Sequence, residues 1–600
     1  MTFNSRDIKL NLNNSILPGL AGSEKSFFLV NSVDHLLNLR FLQQIKIDMV
    51  MNNNNPITNK NIKSYWLPLS GILFLAVVLR LIGVNWGMPY IYHPDERFII
   101  ARGVYFFTGD LNPHFFNYPS LLMYIMFIVN IAVYAIGFVL GKFNSVEMFT
   151  DMYRSNPGIF YIPNRVIIVI FAVLTLYATF KLADYLYGRK TAFLSLILFT
   201  FLPVHIIHSH FVTSDVPCIL FVVVSFYYSI KILDHDQNKN YILAAVFAGL
   251  AAGTRYNSGV IILCVAFAHV IKTWLKSQGS IKNRLFIAIK AVFASKIFIA
   301  GFLAIFIYLL TTPYTIFDFK EFWGGLRFEM QHQRIGHGLL FVGIGNKILY
   351  EIFSVFQNWG GSFLLFLMIA ASLWKLVKLD KYTLLFFFWL CLHFAIIVTS
   401  NVFFIRYSLN IIPFCLILTA HMLVYFYESR QKVFKIISIS FTGLVVIYLV
   451  SASLIMVKNT AATDPRTLAK QWIDDNIKHS ESIGIMSSPT GMKDRDDPPI
   501  GEGNYTIFRE KYLSQLINQA PTYLIISYFD YISYLRLRDK YDFSRDNYYE
   551  LSRLFNNQTN YRLVKEFDAI PRLFGKDLLG KFPIHDMMYT FGVIKIYRKT

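Results

Sequence analysis

Long apolar segments recur through the first three quarters of the chain, and no other feature of the sequence constrains the fold as strongly. A helix of about 20 apolar residues is long enough to cross the hydrocarbon core of a bilayer. The sequence therefore predicts a mainly α-helical, polytopic membrane protein. The candidate spans lie at 66–84, 119–140, 165–186, 191–208, 216–233, 241–254, 258–274, 296–312, 360–376, 383–400, 407–427 and 436–456.

The composition agrees with this prediction and excludes an ordinary soluble globule, because 55% of the 600 residues are hydrophobic and 16% are charged. The net charge of +20 invites comparison with nucleic-acid-binding proteins. However, the Lys and Arg residues stand in short clusters between apolar segments, as in the cytoplasmic loops of membrane proteins. We therefore expect membrane lipid, and no nucleic acid, as a partner. The four cysteines lie in apolar segments at unrelated spacings, which favours neither disulfides nor a zinc site.

Basic clusters in alternate connections predict the side of the membrane on which each connection lies. The cytoplasmic clusters are at 189–190, 231–239, 272–284, 375–381 and 430–435. The connections between them then face outward. Segment 119–140 breaks the alternation, and we interpret it as lying at the outer interface beside the amphipathic stretch from Phe98 to Phe107. The alternative is that 119–140 crosses and the polar stretch 142–163 contains a return. About eleven crossings result, with interfacial helices, a cytoplasmic N-terminus and an outer C-terminus.

Three regions follow from these patterns. Residues 1–64 are polar and Asn-rich, which predicts a disordered cytoplasmic tail. Residues 65–456 form the transmembrane domain. Residues 457–600 have the composition of a soluble domain, and an amphipathic helix followed by short β-rich segments predicts a small extracytoplasmic α/β domain.

Two adjacent acids follow the first span in the segment YHPDERF, which holds His93, Asp95 and Glu96. A carboxylate at the membrane interface is partly desolvated, so its proton affinity can be tuned for general-base catalysis. The alternative is a solvated loop with two ordinary acids.

A second polar cluster has the same predicted location, in PVHIIHSHFVTSDVP at the outer end of the fourth span. It contains His208, His210 and Asp215. Asp215 is a candidate catalytic acid, or alternatively the cap of the next helix. The spacing of the two histidines is poor for two ligands on one helical face, so a zinc site is weakly supported.

Arginines fall at outer helix ends, Arg255 in GLAAGTRYNSG and Arg406 in FFIRYSLN. Either could extend to lipid headgroups. Several cations near three acids are better explained by an anionic ligand. Further candidates to line such a site are His93 and His208 and, in MQHQRIGH, His332, Arg334 and His337.

The order of these motifs resembles the integral-membrane glycosyltransferases of the GT-C fold, specifically the bacterial relatives of protein O-mannosyltransferases and of the lipid A aminoarabinose transferase. The segment TDPRTLAKQWIDDNI and the RYxxxxxP pattern from Arg406 to Pro413 belong to the same order. The resemblance implies a sugar donor carried on a polyprenyl phosphate. It also implies catalytic roles for Asp95 and, in the later loop, Asp215, with Glu96 as a further candidate.

The resemblance therefore implies an enzyme that transfers a sugar, with inversion, to a protein, lipid or glycan acceptor of the cell envelope. The reaction is expected at the outer face of the inner membrane. Arg255, Arg406 and His210 are expected to bind the donor phosphate. A divalent cation bridging Asp95 and Asp215 is an alternative source of positive charge. The rival functions are a lipid-linked glycan transporter or flippase, a glycan polymerase or ligase, and a structural scaffold.

Overall fold

A computed structural model describes residues 65–486, 497–500 and 505–600. The predicted tail at 1–64 lies outside the described residues. The membrane part is built from helices, as the apolar segments predicted. They are α1 (Trp66–Leu81), α2 (Pro94–Tyr105), α3 (Leu121–Val139), α4 (Val146–Ser155), α5 (Gly158–Thr200), α6 (Pro203–His208), α7 (Asp215–Asp234), α8 (Asn238–Thr254), α9 (Ile262–Lys276), α10 (Ile281–Ala291), α11 (Ser295–Thr311), α12 (Tyr314–Phe317), α13 (Phe319–Ile335), α14 (Lys347–Tyr350), α15 (Gln357–Val377), α16 (Lys381–Thr399), α17 (Ile412–Tyr427) and α18 (Lys432–Ala461).

Within the described residues, nine helical segments are long and apolar enough to cross a membrane, and α1 is a shorter apolar helix. Two of the predicted spans, 165–186 and 191–208, fall within the 43 residues of α5 and the short helix α6. The chain nevertheless breaks direction inside α5 at Gly188, where φ is 79° and ψ is 177°. This left-handed conformation favours glycine. The predicted multi-pass, mainly helical membrane fold is confirmed.

Burial separates central from peripheral helices. The most apolar window of α7 is 72% buried by other parts of the protein, whereas that of Ile281–Thr311 is 11% buried. A helix that is apolar all round and little covered by protein is suited to contact lipid. The helix α7, which begins at Asp215, is therefore in the centre of the bundle.

The C-terminal part is the predicted small α/β domain. Its elements are α19 (Pro465–Asn476), β1 (Ser482–Met486), β2 (Thr506–Glu510), α20 (Leu513–Gln519), β3 (Tyr523–Ser527), α21 (Tyr528–Leu537), α22 (Asp542–Phe555), β4 (Tyr561–Asp568), β5 (Arg572–Leu573), β6 (Lys576–Asp577), α23 (His585–Met588) and β7 (Val593–Lys599). The five-stranded sheet has the order β2-β1-β3-β7-β4, in which β1 is parallel to β2 and β3, and β7 is antiparallel to β3 and β4.

The C-terminal domain contacts the loop that follows the first membrane helix. The Tyr92 hydroxyl lies 2.8 Å from the hydroxyl of Thr467, and the Arg466 guanidinium lies 3.9 Å from the centre of the Tyr92 ring. The same guanidinium donates to the backbone carbonyl of Tyr589 over 2.5 Å. These contacts place the C-terminal domain directly beside the segment that carries Asp95.

Candidate active site

Asp95 stands in the first turn of α2, where local sequence and helix geometry agree. Pro94 occupies the first helical turn, and the His93 side chain caps the helix by accepting a hydrogen bond from the Asp95 N–H over 3.3 Å. A carboxylate in this position is favoured by the helix dipole. One oxygen of Asp95 lies 3.2 Å from Nη2 of Arg406, and both side chains are largely buried.

Arg406 belongs to the 3-10 helix Ile405–Ile411, which leads into α17. This short helix is anchored on one side by Trp359, whose indole N–H donates to the Ser408 hydroxyl over 2.9 Å. The guanidinium stacks 4.1 Å from the centre of the Phe404 ring. Its Nη1 is buried and has no hydrogen-bond partner within the described residues. An N–H group in that situation is suited to receive an anionic ligand.

A second ion pair joins Asp215 to Arg255. Asp215 is the first residue of α7, and Arg255 follows the last residue of α8. The Arg255 guanidinium lies 4.6 Å from the centre of the Tyr407 ring, and Tyr407 is the neighbour of Arg406 in the chain. The Arg406 guanidinium lies 5.6 Å from the centre of the same ring. The two ion pairs, whose four residues come from separate sequence motifs, therefore meet at Tyr407.

Glu329 adds a third acid, one that no sequence motif indicated. It lies on α13 and interacts electrostatically with Asp95 and Arg255. Burial, and after it the charge of Asp95, raise the pKa of Glu329 to about 7. In the sequence this residue stands among ordinary amphipathic positions, so no local signal separates it from a solvated helix face.

The packing of α13 explains how Glu329 is brought to the site. Phe322 and Gly325 lie on the same helical face as Glu329 by their spacing. The Phe322 ring contacts the Phe116 ring at 6.1 Å between centres, and a Cβ at Gly325 would lie 2.8 Å from the Phe116 backbone carbon. The helix therefore packs closely over the loop that precedes α3.

Glu96, predicted as a catalytic candidate, has a different environment. Its two carboxylate oxygens accept hydrogen bonds from the Arg165 guanidinium over 2.8 and 2.7 Å, and Oε1 also accepts the Val212 N–H over 2.9 Å. Both side chains are fully buried. Arg165 additionally donates to the carbonyls of Val84 and Trp86. Glu96 is therefore part of a buried ion pair with Arg165, and removing one partner of such a pair typically costs about 3–5 kcal/mol.

His210, which was predicted to bind the donor phosphate, is also hydrogen-bonded within the protein. Its Nε2 forms a hydrogen bond of 2.7 Å with the carbonyl of Ile82. Burial lowers the pKa of both His208 and His210 to about 4, so the rings are neutral at pH 7. A neutral imidazole already bonded to a carbonyl does not supply positive charge to a phosphate. His93 is the cap of α2, and its ring packs 4.4 Å from that of Phe211.

The three candidates predicted in MQHQRIGH do not all lie near Arg406. The rings of His332 and His337 lie 5.1 Å apart, and His337 lies 5.4 Å from the Phe404 ring that supports Arg406. Both histidines therefore line the surroundings of Arg406. The Arg334 side chain is exposed, and its backbone carbonyl accepts a hydrogen bond from Asn401, so it does not join this group.

The arrangement does not fit a cation that bridges Asp95 and Asp215, because each carboxylate is already paired with its own guanidinium. Within the described ranges, the carboxylates and imidazole close enough together to hold a metal are those of His114, Asp318 and Glu321. Both ring nitrogens of His114 lie about 3 Å from carboxylates, at 2.9 Å from Glu321 and 3.0 Å from Asp110.

Residues 161–299 match the family described as dolichyl-phosphate-mannose-protein mannosyltransferase. This segment contains Asp215 and Arg255. The predicted resemblance to relatives of the protein O-mannosyltransferases is thereby confirmed for this segment. No curated protein matches the sequence.

Solved structures give distant similarities over most of the chain. ArnT from Cupriavidus metallidurans bound to undecaprenyl phosphate is 13% identical, over 89% of this chain and 98% of that chain, with a TM-score of 0.42. Its apo state is 12% identical over the same shares, with a TM-score of 0.43. The apo form of the Archaeoglobus fulgidus oligosaccharyltransferase is 12% identical, over 77% of this chain and 70% of that chain, with a TM-score of 0.45.

Proposed function

We propose that the chain is a membrane glycosyltransferase that moves a sugar from a polyprenyl-phosphate donor to an acceptor of the cell envelope. The observation that carries this proposal is the meeting of the Asp95–Arg406 and Asp215–Arg255 pairs around Tyr407. Buried guanidinium groups suit a phosphate, and a neighbouring carboxylate suits a proton acceptor. The reaction takes place at the outer face of the cytoplasmic membrane, beside the extracytoplasmic C-terminal domain.

In the proposed reaction, Asp95 accepts the proton of an acceptor hydroxyl or amine as that atom attacks the anomeric carbon of the donor sugar. The bond from the anomeric carbon to the phosphate oxygen breaks on the opposite face, so the configuration inverts. The polyprenyl phosphate leaves with the bonding electrons. Its negative charge is stabilised by Arg406 and Arg255, and such electrostatic stabilisation is commonly the largest contribution to catalysis.

The Asp95–Arg406 pair links donor binding to proton transfer. A nearby guanidinium favours the ionised form of a carboxyl group and thereby lowers its proton affinity. When the donor phosphate binds Arg406, it competes with Asp95 for the guanidinium. The proton affinity of Asp95 then rises, which makes Asp95 a better base only when the donor is present.

The proposal is tested by comparing the envelope of cells that make this chain with that of cells that lack it. Mass spectrometry of envelope lipids, proteins and glycans is expected to show one sugar mass that depends on the chain. The lipid-linked form of that sugar should accumulate in cells without it. Identical spectra in the two strains, under conditions where the protein is present, would contradict a transferase function.

A further inference from the structure

We infer that Asp586 of the C-terminal domain is a positioning residue of the active site, which holds Arg406 in the orientation that faces Asp95. This inference rests on the proposed glycosyltransferase function. It gives the C-terminal domain a direct part in the reaction, in addition to covering the membrane helices.

Asp586 reaches the site from a different part of the chain. It is the second residue of α23 (His585–Met588), which lies between β6 and β7. Its side chain is fully buried. One oxygen accepts the Ile405 N–H over 3.2 Å, and the other accepts the Arg406 N–H over 3.1 Å. The carboxylate therefore caps the 3-10 helix Ile405–Ile411, whose first N–H groups have no partner within that helix.

The same carboxylate also faces the Arg406 side chain. Its Oδ2 lies 3.7 Å from Nη1, while Nη2 on the other arm of the guanidinium lies 3.2 Å from Asp95. The ring of Phe404 covers one face of the guanidinium at 4.1 Å. A planar guanidinium with a carboxylate facing each of two edges and a ring on one face has little freedom to turn. Asp586 thus fixes both the backbone and the direction of Arg406.

Attachment of the C-terminal domain to the membrane part does not by itself explain why the Asp586 carboxylate is buried beside Arg406. Burying a charge is costly, and the gain from its partners often does no more than offset that cost. The two parts of the protein are already joined elsewhere, by Tyr92 with Thr467 and by Arg536, which donates to the carbonyls of Val342 and Leu339. A buried acid at Arg406 is therefore better explained by control of the guanidinium than by docking.

The test is a double-mutant cycle on the full-length chain in detergent, with kcat/KM for sugar transfer as the readout. Asp586→Asn is expected to lower kcat/KM about 10- to 100-fold, as is common for residues that orient a functional group. Lysine at position 406 has no planar guanidinium to orient. Adding Asp586→Asn to Arg406→Lys should therefore lower kcat/KM by less than about threefold further, because the two residues act as a unit.

The sign of the change in donor KM separates positioning from charge. If Asp586 acted only through its charge, Asp586→Asn would strengthen binding of the anionic donor and lower KM, and this result would overturn the inference. Equal losses of kcat/KM on Asp586→Asn in the wild-type and Arg406→Lys chains would also overturn the inference, as would an unchanged kcat/KM.

Asp530→Asn is the matched control, since Asp530 is also fully buried in the C-terminal domain but lies in the capping box of α21. It should lower thermal stability while kcat/KM of the folded protein is kept. A wild-type chain without any transfer activity would instead contradict the proposed function itself.

Discussion

Arg406 is the residue on which the two domains converge, because it contacts Asp95 from the membrane part and Asp586 from the C-terminal domain. Lys carries the same charge but has no planar fork. We predict that Arg406→Lys lowers kcat/KM for sugar transfer by about 10²- to 10³-fold, the usual effect of removing one donor that stabilises developing charge. The exposed Arg545 provides the control, and Arg545→Lys should leave kcat/KM within about twofold of wild type, as expected for a surface substitution.

Glu329 should set a pH dependence of donor binding. Below its pKa of about 7 the carboxyl group is neutral, and above it the group adds a negative charge near Arg255 and Arg406. A phosphodiester donor keeps one negative charge over this range, so we predict that its KM rises as the pH increases through 7. Glu329→Gln should remove that rise. Glu321→Gln, an exposed position on the same helix, should retain it, and a rise that survives in Glu329→Gln would contradict the assignment.

The sequence indicated some of these residues and missed others for physical reasons. Asp215, Arg255 and Arg406 each stand next to the end of a predicted span, and Asp95 lies in the segment that follows the first span, so their motifs predicted one end of the bundle for all four. Asp586 lies in the apolar stretch FPIHDMMY, where nothing local indicates a contact with Arg406, 180 residues earlier in the chain. The hydrogen bonds of Glu96 to Arg165 and of His210 to Ile82 could not be predicted, because sequence shows proximity along the chain but not the direction of a side chain.

At the level of elements, α13 depends on close packing at one glycine. A methyl group at Gly325 would lie 2.8 Å from the Phe116 backbone, whereas one at Gly324 would meet nothing within 4 Å. We predict that Gly325→Ala displaces the helix and lowers kcat/KM by about 10²-fold, since a shift near 1 Å in a catalytic group has effects of that size. Overpacking should also cost about 1–3 kcal/mol of stability.

Gly324→Ala is the matched control for this prediction. It is the same substitution one residue earlier on the same helix, and alanine favours helix formation by up to about 1 kcal/mol. Activity should therefore be kept and thermal stability should not fall. Similar losses of activity in both variants would show that the contact with Phe116 does not position α13.

Whether a segment forms a helix or a strand was easier to predict than where that helix or strand begins and ends. The apolar segments became helices because their length and composition leave few alternatives in a bilayer. The break at Gly188 falls in the predicted connection between the spans 165–186 and 191–208. The 3-10 helix Ile405–Ile411 depends on tertiary packing and was not predicted. Four strands of the C-terminal sheet fall in β-rich segments of the sequence, at 483–487, 523–528, 561–567 and 590–597, whereas β2 was not predicted. The strand order was not predicted either, since it brings together β3 and β7 from distant parts of the chain.

For the whole molecule, the orientation in the membrane is the prediction with the widest consequences. Lys581 is exposed in the C-terminal domain, and Gln278 is exposed between α9 and α10. We predict that, in intact spheroplasts, a membrane-impermeant maleimide labels Lys581→Cys without permeabilisation and labels Gln278→Cys only after it. The opposite pattern would place the site at the cytoplasmic face and contradict the proposed location of the reaction.

Sugar transfer by Asp95→Asn tests the central claim most directly. The purified full-length protein would be given a lipid-linked sugar donor and an envelope extract, and release of polyprenyl phosphate would be measured. Loss of a general base typically costs about 10²- to 10⁴-fold in rate, so we predict a decrease of that size. Asp110→Asn, an exposed acid in the loop after α2, should transfer at the wild-type rate. Transfer by Asp95→Asn at the wild-type rate would contradict the account.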